Sequence, residues 1–491
     1  MVVGGGITGL AAAYRLRMLL GPAAEIVLIE CSRRLGGALR TVELGGLVLD
    51  VGAEAFLVRR PEAVALVEEL GLGAELIHPT PAAPTVHAGG RTHPLPTRTL
   101  LGLPGAAADV AGLLSAQGMA RLAAEPSVPL CWRPGQDTAV GTLLRARAGD
   151  ELVDRLVDPL LGGVYAGRAD ALGLRATLPA LATALDQGAG SLLAAAATAL
   201  RRTPGVRSLD PGEPPRSEGA RQPVFAALRG GLSRLVDALA RASGARVRLG
   251  LPVRGLARTP AGWRLELGSA TRPEQLHADA VLLAVPAPAL RRLLSDPLPV
   301  AAAAAGQVEV ASSAVVGLAL PISPAQALPQ ASGVLVASSE PLAVKAFTFS
   351  GRKWAHAVSD EVLLVRGSIG RHGAARVLQR DEAELVDMVR AALTALTGVT
   401  AEPVATVVAR WGGGLPQYAP GHLDTVTTLE RSVAGELGLE VAGAVLHGVG
   451  VPACIGSADA AARRLAGYLR AGYPEYRIPQ SGRARGETMG A

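Results

Sequence analysis

Aromatic residues make up only 3% of this 491-residue chain, and charged residues only 18%. An aromatic cage around a ligand is therefore disfavoured. So is a nucleic-acid surface, since a net charge of +6 comes from scattered Arg with no aromatic partners and no dense stripe. Lysine is almost absent: Lys345 and Lys353 are the two. Cys31, Cys131 and Cys454 lie far apart and form an odd set, which argues against a disulfide framework or a CxxC metal pair and for a reducing compartment. The eight histidines show no HxxxH or HxxE pairing, so no metal site is expected. No 18-residue apolar run is free of Gly, Pro and charge. The nearest, 298–320, carries Pro299, Gly306 and Glu309 and reads as core strand. The chain opens directly into a structural motif, so no signal or transit peptide is expected.

What is abundant is apolar residue and glycine, at 49% hydrophobic and 60 Gly. That composition is globular, and the length allows two or three domains. Met1-Val2-Val3 reads as a shortened first strand. Residues 7–20 form an Ala/Leu helix that stops at Gly21-Pro22, and 25–30 (EIVLIE) is the next buried strand. The result is a βαβ-type start. Leu/Ala-rich helical periodicity fills about 91–200. The segment 201–221 is rich in Pro, Gly and charge and reads as an exposed loop, and 476–491 as a flexible tail. Strands are expected at 246–249, 263–267, 280–285, 308–320 and 362–369. A last helix is expected over 457–471, with Ser457 as its N-cap and Asp459 in its first turn.

Gly4-Gly5-Gly6-Ile7-Thr8-Gly9 fits GxGxxG between a strand and a helix. Gly4 allows the tight turn, Gly6 a close approach of pyrophosphate, and Gly9 close packing of helix on sheet. Glu30 ends the second strand, 21 residues after Gly9, where a carboxylate accepts hydrogen bonds from a ribose. Together these read as a dinucleotide site.

Arg34-Leu35-Gly36-Gly37 follows at once, and an RxGG turn in that place resembles the second fingerprint of FAD enzymes of the amine oxidase and phytoene desaturase type. The stretch 445–452 (VLHGVGVP) is similar to the C-terminal flavin motif of the same enzymes, which places Gly450, Val451 and Pro452 against the isoalloxazine. A narrower resemblance covers most of the chain. DVGAEAFLVRRPEA (50–63), GGVYAG (162–167), LRGGLSRLVDAL (228–239), RWGGGLPQYAPGH (410–422) and GVGVPACI (448–455) resemble the porphyrinogen oxidases of haem biosynthesis.

That resemblance implies noncovalent FAD held by Gly4, Gly5, Gly6, Gly9, Glu30, Gly36, Gly37, Gly52 and Ala53. It adds Val253 at the adenine through its backbone and Trp411 near the flavin. It implies a porphyrinogen substrate beside Gly163 and Tyr165 and molecular oxygen as acceptor. Ala453, and Ala53-Glu54-Ala55 after Gly52, depart from the family pattern, so contacts there rest on backbone. Cys454 follows the flavin loop but reads as a buried small hydrophobe.

The expected fold is α/β: a Rossmann-like FAD-binding domain from 1–66, 223–290 and 436–475, a mixed-sheet substrate domain from 67–90 and 291–435, and a helical cap region from 91–222. The expected activity is six-electron oxidation of coproporphyrinogen III, with protoporphyrinogen IX as the alternative substrate. A site for four carboxylates needs more cations than one for two, and Arg98 and Arg168 are the candidates. Rival readings are a more distant amine or carotenoid oxidoreductase and a noncatalytic haem-delivery flavoprotein. A cytoplasmic setting is expected, with peripheral contact to a membrane left open.

Overall fold

The computed structural model describes residues 1–202 and 223–471. The expected loop at 201–221 lies almost wholly outside the described residues, and the expected tail at 476–491 entirely so.

Twelve strands build two main sheets: β1 (Val2–Val3), β2 (Val27–Ile29), β3 (Pro84–Ala88), β4 (Arg91–Pro94), β5 (Arg246–Arg248), β6 (Val281–Leu283), β7 (Val310–Pro321), β8 (Gly333–Val336), β9 (Val344–Thr348), β10 (Val362–Ile369), β11 (Ala405–Pro416) and β12 (Leu439–Val441). The first sheet is parallel, in the order β5-β2-β1-β6-β12. Its central strands are short and buried on both faces, as a parallel sheet covered by helices requires. The second is mixed, in the order β11-β7-β10-β9-β8-β3-β4.

Four helices frame the two sheets and the turns between them: α1 (Ile7–Leu20), α2 (Asp158–Tyr165), α3 (Glu382–Thr397) and α4 (Val451–Arg470). α1 forms because Ala and Leu fill it without interruption. It stops where Gly21 takes a positive φ of 80° and its N–H closes on Arg17 O at 3.0 Å. Arg17 then caps the end, donating to the carbonyls of Gly21, Pro22 and Ala24 at 2.9 Å each. α1 and α4 pack over one face of the parallel sheet in a shared core with Leu10, Leu28, Leu282, Ile455 and Leu465. α3 covers one face of the mixed sheet through Leu385, Val389 and Leu393.

Three expectations change. The last helix starts at Val451, not 457, with Gly450 as N-cap, because Pro at the first turn of a helix removes only an N–H that has no partner there. Ser457 is inside the helix, donating to Cys454 O and accepting from Gly443 N, both at 3.0 Å. Asp459 pairs with Arg15 and Arg463 instead of facing the helix start. The stretch 298–320 is a helix over Pro299–Gly306 followed by β7, so only its second half is strand. The region from 91 begins with strands, since β4 and the pair Thr99–Leu100 and Leu103–Pro104 precede its helices. The β3–β4 hairpin therefore crosses the boundary drawn at 90–91.

Candidate functional site

The site grows from two glycine turns pressed together at the end of β1. Gly4 holds φ at 106°, and any Cβ on it would sit 2.2 Å from Ala284 O. A Cβ on Gly9 would lie 1.8 Å from Gly4 O, so this glycine is what lets α1 approach the strand. Gly6 differs: a Cβ there would meet nothing nearer than Gly37 Cα at 3.9 Å. That open cradle lies at the start of α1, whose N-terminus has no side-chain cap. The first intrahelical bond runs from Leu10 N to Gly6 O at 3.0 Å, which leaves the N–H groups of Ile7, Thr8 and Gly9 aimed outward. Uncapped N–H groups, the positive helix end and a missing Cβ suit a pyrophosphate.

The second turn docks on the first, with Gly36 N donating to Gly5 O at 2.8 Å and Gly6 paired with Gly36 in a short bridge. Arg34 fastens it by donating to the carbonyls of Leu35, Gly37 and Leu39 at 3.1, 2.7 and 3.2 Å. Glu30 stands beside both turns, its carboxylate accepting from Gly5 N at 2.7 Å and Ser32 N at 2.8 Å. The segment leading to Val253 runs alongside, with Leu251 N donating to Glu30 O at 3.0 Å. Val253 is buried, and its carbonyl accepts from Arg292 at 3.1 Å.

The chain after Asp50 is stitched back to the second turn: Val51 N donates to Arg40 O at 2.9 Å and Ala53 N to Ala38 O at 3.1 Å. Trp411, on β11, donates from Nε1 to Val51 O at 2.9 Å and lies 5.6 Å below the Arg34 guanidinium. Val451, Ala53 and Ile7 belong to one apolar cluster, so the N-terminus of α4 closes on the same place. That terminus also lacks a side-chain cap. Two residues earlier, Val449 packs in a different cluster with Tyr165, Tyr418 and Leu335. The loop 449–451 thus joins the glycine turns to the segment around Gly163.

α2 ends at Tyr165 with Ala166 left-handed at φ 49°, so the glycines of GGVYAG are not the left-handed cap. Gly163 and Val164 face open space, and a Cβ on Gly163 would touch Leu335 at 3.6 Å. Gln417 fixes the turn by donating to Tyr165 O at 2.8 Å. Arg168 is exposed after α2. Arg98 is also exposed and already faces Asp109 at 3.7 Å. Cys454 is buried in the core of α4, where burial raises its pKa against a hydrogen bond from Thr8 that lowers it, so its thiol stays protonated at neutral pH.

The charge cluster behind Gly52 has no counterpart among the motifs read from the sequence. Glu54 is gripped by Lys353 and by Arg366, the latter at 2.6 Å, and Arg366 also donates to Gly52 O at 2.8 Å. The scarcity of lysine was the available signal, since one of only two lies here. Among the described residues no group of His, Cys, Asp and Glu is arranged to hold a metal, and no helix is long and apolar enough to cross a membrane.

The family described as flavin containing amine oxidoreductase matches residues 7–466. The chain is 44% identical over 460 residues to the coproporphyrinogen III oxidase of Mycobacterium tuberculosis strain H37Rv, covering 94% of this chain and 95% of that one. It is 30% identical over 477 residues to the coproporphyrinogen III oxidase of Bacillus subtilis strain 168, covering 96% and 98%. A solved structure from Exiguobacterium sp. 255-15, described provisionally as a protoporphyrinogen oxidase, superposes with a TM-score of 0.79 at 29% identity over 95% of this chain and 98% of that one.

Proposed function

This chain belongs to the family of flavin-containing amine oxidoreductases, and from that premise we propose that it is an FAD-dependent enzyme oxidising coproporphyrinogen III to coproporphyrin III in haem biosynthesis. The observation that carries the substrate is the 44% identity, along nearly the whole chain, to a coproporphyrinogen III oxidase. Electrons pass to molecular oxygen, and FAD is held without a covalent bond. The protonated, core-packed thiol of Cys454 supports that last point, since it is a poor nucleophile.

When bound, FAD supplies the hydride acceptor, and hydrides leave porphyrinogen carbon as protons leave pyrrole nitrogen until six electrons have gone. The residues of the chain hold and orient. The N–H groups of Ile7, Thr8 and Gly9 take the pyrophosphate over Gly6, with Gly4 and Gly5 shaping the turn. Glu30 receives ribose hydroxyls, and the Val253 backbone lies at the adenine. Gly36, Gly37, Gly52, Ala53 and Trp411 form the wall on the other side. Gly450, Val451 and Pro452 present the positive end of α4 to the ring, where it favours negative charge.

The flavin-binding part comprises 1–66, 223–290 and 436–475, of which 472–475 lie outside the described residues. All five strands of the parallel sheet fall within those ranges, which supports the division. The substrate enters beside Gly163 and Tyr165. A cytoplasmic setting fits the free, exposed thiols of Cys31 and Cys131. The test is anaerobic: coproporphyrinogen III mixed with the purified flavoprotein bleaches the oxidised flavin band, and a band left unchanged by it overturns the assignment.

A further inference from the structure

Of the two lysines, Lys353 is accounted for by Glu54. Lys345 is not. It lies on β9 with 8% of its surface exposed, and among the described residues no hydrogen bond or ion pair engages its ammonium. Its stem is packed away while the ammonium itself keeps access to solvent, a position from which it can meet the counter-charge of a ligand.

Its surroundings say which ligand. The β9–β10 ladder pairs Val344 with Ile369 and then Ala346 with Ser368, so Lys345 is the extra residue of a bulge. Val344, Phe347 and Ile369 belong to the core under α3. Ala346 pairs instead with Leu335, the residue against which a Cβ on Gly163 would rest. α2 therefore covers the face opposite α3, and Lys345 lies close enough to Arg371 to feel its charge. Arg371 in turn presses on Gly162, where a Cβ would be 2.6 Å from Nη1.

Asp158, the carboxylate paired with Arg371, is not left for Lys345. Asp158 has one oxygen on Arg371 at 3.1 Å and the other on Ala169 N at 2.8 Å, and Arg371 is completed by Val336 O at 3.0 Å. Arg168 also comes near enough to Arg371 for their charges to interact, so Arg371 has two further cations in its surroundings, Lys345 and the exposed Arg168. Burial, and then Arg371, lower the Lys345 pKa to about 8, which leaves the ammonium mostly charged at neutral pH.

We propose that Lys345 receives a carboxylate of the substrate, pairing with one propionate of a porphyrinogen bound beside Gly163; this rests on the functional reading given above. It bears on specificity where the propionate it takes is one of the two that protoporphyrinogen IX lacks.

The test uses the purified flavoprotein and two probes, coproporphyrin III and its tetramethyl ester, with binding followed by quenching of porphyrin fluorescence. In Lys345→Met the affinity for the tetra-acid falls about tenfold or more, while the affinity for the ester does not change. With coproporphyrinogen III, KM rises and kcat is nearly unchanged, and Lys345→Arg restores both affinity and KM. A Lys345→Met protein that binds the tetra-acid as wild type does, or loses acid and ester equally, overturns the proposal. Should Lys345→Met fail to load flavin, the wild type still decides, since equal affinity for acid and ester overturns it as well. A wild type that oxidises no porphyrinogen sinks the functional reading, whereas one that turns over with Lys345→Met unaffected sinks this inference alone.

Discussion

Arg366 holds Glu54 at 2.6 Å with one guanidinium nitrogen while its other terminal nitrogen takes the carbonyl of Gly52 at 2.8 Å. β10 of the mixed sheet is thereby tied to the loop that follows the second glycine turn. Burial alone would raise the Glu54 pKa, but Lys353 and Arg366 outweigh it and hold the carboxyl down at about 2.

Glu54→Gln leaves two largely buried cations without their counter-charge and is expected to destabilise the protein by about 3 kcal/mol or more. A folded-state pKa below the ordinary 4.5 means that the carboxylate contributes fully above pH 4.5 and loses that contribution as pH falls toward 2. Thermal melting of both proteins checks this: the gap in Tm is wide at pH 7 and narrows below pH 4.5. An equal gap at both pH values contradicts it.

Gly6→Val and Gly9→Val separate cofactor binding from folding. At Gly6 the added side chain enters the open cradle, so the protein folds, with a melting curve close to wild type for the apoprotein, but carries no FAD. At Gly9 the Cβ would overlap Gly4 O, so the variant fails to fold. A folded Gly6→Val protein with full flavin absorbance contradicts the placement of the pyrophosphate.

Glu30→Ala removes the bonds from Gly5 N and Ser32 N that shape the turn, together with the acceptor proposed for the ribose hydroxyls. FAD affinity is expected to fall by about 1.5–3 kcal/mol. Titration of apoprotein with FAD measures it, and an unchanged affinity assigns Glu30 to the turn alone.

The parts of the fold set by short-range rules were legible from residues. α1 runs from Ile7 to Leu20 as expected, because its composition and the Gly21-Pro22 stop act within a few residues. The strands at 246–248, 281–283 and 362–369 were equally readable. The start of α4 was misread because Ser457 is a good N-cap in sequence, yet within a helix the same hydroxyl bonds back to Cys454. The grip of Arg366 on Glu54 joins residues 312 positions apart and leaves no local pattern. The same holds for Lys345, whose meaning depends on a bulge and on Asp158 being already engaged.

An enzyme for the four-carboxylate substrate discriminates it from the two-carboxylate one. Steady-state kcat/KM for coproporphyrinogen III and protoporphyrinogen IX in oxygenated buffer tests this most directly. A clear preference for coproporphyrinogen III is expected, with hydrogen peroxide formed as porphyrin appears; equal rates, or a preference for protoporphyrinogen IX, overturn the substrate assignment.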